Sequence, residues 1–151
     1  MARTLARQAI LQMMYLRLAG SEADEEALHF VYDIMEEIKE PEAGKVYMTK
    51  DDHAYIDQTL QGTAEKEGEL DEIIARYLSE DWSMERMAHI NLCILRLAVF
   101  ELLHNDKVPD NVAISEALRL ADLYSDPGSK SFINGLLRSV LQSKTPSEAR
   151  E

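Results

Sequence analysis

The chain has 151 residues, with 28 Asp and Glu against 16 Lys and Arg, a formal net charge of −12 at pH 7. A hydrophobic content of 46% suits a folded core in one domain or two small helical halves, which excludes wholesale disorder, and a single cysteine excludes a disulfide framework or a cysteine-cluster zinc site. No apolar run nears the ~20 residues of a membrane span and no signal-peptide core opens the chain, so a soluble cytoplasmic protein is expected.

Helix-forming Ala, Leu, Glu, Met, Lys, Gln and Arg fill 80 positions, against four prolines and six glycines, a composition that favours an all-α fold. The first helix is expected from about Arg3 to Ala19, with Leu5, Ala9, Met13 and Leu16 on one face and Gly20 placed to stop it. Ser21 and Asp24 offer a start for a second helix, carrying Leu28, Val31, Tyr32, Met35 and Ile38. Pro41 and Gly44 then make residues 40–49 a loop. Thr49 and Asp52 offer a similar start for a third helix, with Ile56, Leu60 and Ala64, ending near Gly68. A short fourth follows with Leu70, Ile73, Ile74, Tyr77 and Leu78.

Ser83 is placed to begin the fifth helix, about Met84 to His104, whose stretch from Ile90 to Leu103 is apolar nearly all round. Such a helix is packed on several sides, which makes it the central element. Asp110 or Asn111 is placed to cap the sixth helix, which shows Ile114, Ala117, Leu118, Ala121 and Tyr124. Asp126-Pro127-Gly128 breaks it, and the seventh carries Phe132, Ile133, Leu136, Leu137, Val140 and Leu141. Residues 145–151 are expected to form a flexible tail. The expectation is one all-α domain over 1–144, seven helices in two subdomains of about 1–80 and 81–144.

The net charge of −12 argues against nucleic acid, since phosphate binding needs cations. Its distribution argues otherwise. Residues 1–19 carry Arg3, Arg7 and Arg17 and no acid; residues 20–85 carry a net −15; residues 86–151 are neutral. Residues 127–147 are again acid-free, with Lys130, Arg138 and Lys144. Two basic segments therefore bracket an acidic middle, an asymmetry that points to partners more usefully than the total charge does.

Motifs for chemistry are lacking: no phosphate loop, no nucleophile elbow and no calcium-loop order occur. His89 and Cys93 are four apart, but no third ligand is spaced to join them, so a core thiol beside a boundary histidine is the reading adopted. Asp51-Asp52-His53 sits at a predicted helix start, where capping and dipole stabilisation explain it. Neither a metal, a cofactor nor catalysis is expected. Near the basic segments, Tyr77, Tyr124 and Phe132 offer stacking faces to unpaired bases, although each also fits an ordinary core aromatic. Asn134-Gly135 inside the seventh helix pairs two poor helix formers, suggesting close approach of another backbone or a ligand.

Five segments in order resemble the NusB family of bacterial transcription antitermination factors. They are Ala6-Arg7-Gln8-Ala9 with Gln12 and Tyr15; Leu60-Gln61-Gly62 with Leu70-Asp71 and Tyr77-Leu78; Ile94 to Leu102; Val108-Pro109 with Val112 to Ala117 and Leu120-Ala121; and Phe132-Ile133-Asn134-Gly135-Leu136-Leu137. The resemblance implies two perpendicular three-helix groups around a long central helix. It implies binding of boxA RNA together with the small-subunit ribosomal protein NusE, within an RNA polymerase antitermination complex acting notably in ribosomal RNA transcription. By position it nominates Arg3 and Arg7 for RNA, then Tyr77, Tyr124, Phe132 and Asn134, with Lys130 from the second basic segment. It nominates Tyr15 and Asn91 for the ribosomal-protein surface. This chain has Arg3-Thr4-Leu5 where relatives often have consecutive arginines, Gly128 at a commonly acidic position and Asn91 in place of a glutamate. Alternatives are a protein-only module or homodimer without RNA binding, and the RNA-targeting domain of an rRNA methyltransferase, which ranks low because no catalytic domain follows. A helix at 3–19 lying on a membrane surface ranks lower still, with only three cations.

Overall fold

A computed structural model describes residues 2–20, 49–78 and 83–144. Among these residues all regular structure is helical, in six helices: α1 Ala2–Ala19, α2 Lys50–Glu65, α3 Glu67–Arg76, α4 His89–His104, α5 Asp110–Tyr124 and α6 Pro127–Ser143. The helix expected after Ser21, the 40–48 loop and the tail lie outside the described residues. The chain groups into two compact units, residues 1–62 and 63–151. α3 belongs to the second unit, where the ion pairs described below join it to α4.

In the first unit, Gly20 stops α1 as its position predicts, with φ +57°, a left-handed conformation that glycine adopts without strain. Ala6, Ala9, Ile10, Leu11 and Met14 are buried, whereas Leu5, Met13 and Leu16 of the expected stripe are only half-buried. The buried face is therefore rotated by about one residue from the stripe of largest side chains. Alanines permit a closer approach than leucines, and Ala6 and Ala9 lie at the core. Thr49 and Asp52 start α2 as a reciprocal cap. The Asp52 N–H donates to Thr49 Oγ1 (3.2 Å), while the Thr49 N–H and Oγ1 donate to Asp52 Oδ2 (3.0 and 3.1 Å). Tyr55, Ile56, Thr59 and Leu60 form the inner face of α2. Ala64, expected there, is exposed, and Thr63 is buried instead.

In the second unit, α2 gives way to α3 at Lys66 rather than near Gly68, which lies in the first turn of α3. Leu70 and Ile74 are the buried positions of α3. The next helix starts at His89, five residues later than expected. Ser83 instead closes one separate turn, accepting the Arg86 N–H on Oγ (3.2 Å) and the Met87 N–H on its carbonyl (3.1 Å). Ala88 is then extended (ψ 138°), and Met87 is buried. Every residue from Asn91 to Leu102 is buried, and α4 packs on α3, α5 and α6, the central position its all-round apolarity predicts.

Two charged clamps hold this bundle. Arg96 of α4 donates from Nε and Nη2 to the two Asp71 carboxylate oxygens (2.7 and 2.8 Å) and pairs through Nη1 with Glu67 (3.2 Å). Lys144, just past α6, donates from Nζ to Asp110 Oδ1 (2.8 Å) and to the Leu102 carbonyl (2.9 Å). Their side chains are 2% and 5% exposed. Thus one ammonium satisfies an end carbonyl of α4 and the carboxylate at the start of α5. This corrects the capping expectation for α5: Pro109 takes the N-cap, and Asp110 is turned inward to meet Lys144. At the other turn, where Asp126-Pro127-Gly128 predicts only a break, Asp126 caps α6, accepting the Ser129 N–H at 2.8 Å, with Pro127 at the first helical position.

Removing one partner of a buried pair strands the other charge, so Lys144→Met is expected to cost roughly 3–5 kcal/mol in urea unfolding. The double variant Lys144→Met/Asp110→Leu should recover at least half of that loss; full additivity would show that the pair is not the clamp. Asp52 allows a pH test. Burial works against its ionised form, but the Thr49 hydrogen bonds, with the charge and hydrogen bond of Arg3, outweigh it and lower the carboxyl below its ordinary 3.8. A lowered folded value means that the stabilisation is present above 3.8 and lost as pH falls through the folded value. The stability gap between wild type and Asp52→Asn should therefore be constant from pH 7 to 5 and close on further acidification, as followed by thermal melts.

Candidate nucleic-acid interface

The nominated residues fall into two groups, one in each unit. In the first unit Arg3 and Arg7 share a face of α1 at a four-residue spacing, over the ring of Tyr55. The Arg3 guanidinium carbon stands 4.3 Å from the ring centroid and that of Arg7 5.5 Å, both within cation–π range. Arg3 Nε also donates to Asp52 Oδ1 at 3.0 Å. The two arginines differ in access: the Arg3 side chain is 42% exposed, whereas Arg7 is 3% exposed. The helix cap and the arginine therefore share one carboxylate, and Asp52 and Tyr55, three apart on α2, present a charge and an aromatic face together. Arg17 is exposed and donates to the Leu60 carbonyl at 3.3 Å. Tyr15 is half-buried on α1.

In the second unit Tyr77 ends α3 and is half-buried, its N–H donating to the Ile74 carbonyl at 3.1 Å. Tyr124 ends α5, also half-buried, beside exposed Leu123. Lys130, in the first turns of α6, pairs with Asp122 of α5 at 2.9 Å. Phe132 and Asn134 are both half-buried on α6. Two residues along a helix turn by about 200°, so they lie on opposite flanks of the exposed face and cannot form one contact. Asn134 instead shares its flank with Lys130 and Arg138, and Arg138 Nε donates weakly to its Oδ1 (3.4 Å). A Cβ added at Gly135 would meet nothing within 4 Å, so no other part of the described chain accounts for this glycine.

Asn91 has a different place from the one expected of it. It is 3% exposed, and its amide is engaged on both sides: Nδ2 donates to Ser129 Oγ (2.9 Å), and Oδ1 accepts from Ser125 Oγ (2.6 Å). Ser129 Oγ in turn donates to Asp126 Oδ2 (3.0 Å). Asn91 thus clasps both sides of the α5–α6 turn to α4 and presents no surface of its own. A carboxylate here would accept but not donate, and it would face the acceptor load already on Asp126.

No group of three or more His, Cys, Asp or Glu among the described residues could hold a metal. His89 is exposed and Cys93 fully buried; burial pushes the thiol up to about 12, only partly opposed by Arg96, so it is a core residue rather than a nucleophile. Among the described residues no helix is long and apolar enough to cross a membrane. Sequence reasoning did not show Asp52 as a holder of Arg3, nor Tyr55 as the ring beneath both arginines. Asp52 was legible only as a cap, because its partner is 49 residues away.

The NusB family model matches residues 2–142. The chain is 37% identical to the transcription antitermination protein NusB of Clostridium botulinum over 94% of its own length and 99% of that protein. It is 34% identical to that of Levilactobacillus brevis over 99% of each. Among solved structures it resembles T. maritima NusB, with a TM-score of 0.76 and 27% identity over 97% of this chain and 94% of that one. It also shares the fold of a chain from a complex of the antitermination factors NusB and NusE with double-stranded RNA, with a TM-score of 0.72 and 22% identity over 95% and 98%. With the family model matched along nearly the whole chain and relatives above 30% identity covered end to end, the protein belongs to the NusB family.

Proposed function

We propose that this protein is a transcription antitermination factor that binds boxA RNA together with the small-subunit ribosomal protein NusE. It thereby joins an RNA polymerase antitermination complex in the cytoplasm, notably on ribosomal RNA operons. The observation that carries this reading is the match to antitermination proteins over nearly the full length of both chains. In this reading its role is to bind, as the names of its relatives imply.

In this reading Arg3 is the phosphate contact of α1. Its guanidinium is pre-oriented by Asp52 and Tyr55, which lowers the entropy lost on binding. Arg7, buried against the same ring, serves the fold of α1 on α2 rather than the RNA. Lys130 and Asn134 supply polar contacts from α6, and Tyr77, Tyr124 and Phe132 supply stacking faces at separate points. Tyr15 touches the ribosomal protein, while Asn91 acts indirectly, by holding the α5–α6 turn in shape.

A protein-only module is the second reading. It is favoured by the pairing of Arg3 with Asp52 and of Lys130 with Asp122, which reduces the charge available to phosphate. Fluorescence titration of boxA RNA, with and without NusE, separates the two. Antitermination predicts weak binding alone, tighter binding with NusE, and an affinity that falls linearly with salt on logarithmic axes. Retained NusE binding with no gain in RNA affinity would select the protein-only reading. Arg3→Ala should weaken RNA binding about 3–10-fold and flatten the salt dependence, with only a modest fall in melting temperature from the loss of its partly exposed contacts with Asp52 and Tyr55. Arg7→Ala should instead lower chiefly the melting temperature, and the reverse pattern would refute this division of roles.

A further inference from the structure

Residues 127–147 contain three cations and no acid, but the fold does not leave the three equivalent. Lys144 is sealed against Asp110 and the Leu102 carbonyl, beyond the reach of any ligand. Lys130 is shared with Asp122 across the α5–α6 turn. Arg138 is exposed, and its contact within the described chain is a long hydrogen bond to the neutral Asn134 side chain, with no carboxylate paired to it among the described residues. Lys130, 41% exposed, and Arg138 both face solvent, and of the two only Arg138 has no carboxylate partner among the described residues, a distinction that sequence position alone does not make.

Lys130, Asn134 and Arg138 follow one another at four-residue spacing and so form one flank of α6, about 12 Å long at 1.5 Å per residue. A guanidinium presents a planar fork of donors that matches two phosphate oxygens, and it is more weakly hydrated than an ammonium. Resting on rather than salt-bridged to its neighbour, it need not break an ion pair to bind. We infer that Arg138 is a phosphate-binding residue that extends the RNA contact along this flank of α6, beyond Lys130 and Asn134. This rests on the RNA-binding reading above. An RNA backbone fits the flank better than an acidic protein does, because a row of cation, amide and cation at helical spacing repeats along its axis, whereas the apolar anchors expected of a protein interface core are absent from it.

The test uses the full chain with NusE and fluorescence anisotropy from about 50 to 200 mM salt. The probes are boxA RNA and a scrambled single strand of equal length. Arg138→Ala should weaken both RNAs about 3–10-fold, since phosphate contacts carry no sequence information. It should also make the log–log salt slope shallower by about 0.7, one contact's worth for a single strand. Arg138→Lys should keep most of the slope. Arg138 is exposed, so unchanged far-UV circular dichroism and melting are expected in all variants. If Arg3→Ala weakens RNA binding and Arg138→Ala changes neither affinity nor slope, the α6 contact is overturned and the broader reading stands. If Arg138→Ala weakens NusE binding and leaves RNA untouched, the flank is a protein surface and the inference fails. If wild type binds neither RNA, both readings fall together.

Discussion

The ammonium of Lys144, enclosed by the Asp110 carboxylate and the Leu102 carbonyl, joins the ends of three helices at one atom. A buried cation must be paired, and a helix end must find partners for its last carbonyls; here the two demands answer each other. With Arg96 fastened to Asp71 and Glu67 on the other side, α4 is held against α3, α5 and α6. The Asn91 clasp at the opposite end of α4 can then set the α5–α6 turn, and with it the start of α6. The surface available to a ligand in this unit depends on those buried polar groups.

The same economy governs charge. An acidic chain with few cations uses several of them internally, as helix clamps and as the Arg3–Asp52 pair on α1 and α2. The counted basicity of the two acid-free segments therefore overstates what solvent meets. In the first unit Arg3 is half-exposed and Arg7 buried, and in the second Lys144 is sealed, Lys130 shares an exposed ion pair and Arg138 has no carboxylate partner among the described residues. Affinity for phosphate from few, oriented cations is modest alone and gains from a partner that adds its own, which agrees with a factor that works in company.

Much of the fold was legible because it depends on local rules. Gly20 ends α1 through its positive φ, Thr49 and Asp52 cap α2, the break at Asp126-Pro127 separates α5 from α6, and the apolar run of α4 marks it as central. Misreadings fall where a distant partner overrides a local preference. Ser83 looked like the cap of a long helix, yet it closes an isolated turn that buries Met87 before Ala88 extends. Asp110 looked like a cap and is claimed by Lys144, 34 residues away. Of the expected α1 stripe only Ala9 is fully buried, and the core face is completed by Ala6, Ile10, Leu11 and Met14 instead of Leu5, Met13 and Leu16.

Sequence by itself determined the helical class, most helix ends, the family and the positions where cations are concentrated, because propensity, capping and periodicity act within a few residues. Tertiary structure alone decided how each cation is partnered and how far it reaches solvent. Arg3 and Arg7 read alike on paper, and one is half-exposed while the other is buried. Lys130, Arg138 and Lys144 read as one basic segment, and ion pairs with Asp122 and Asp110 separate them. Charge on a side chain is a property of the residue, but its availability depends on which carboxylate the fold brings within about 3 Å. For these residues the carboxylates come from elsewhere in the chain, up to 49 positions away.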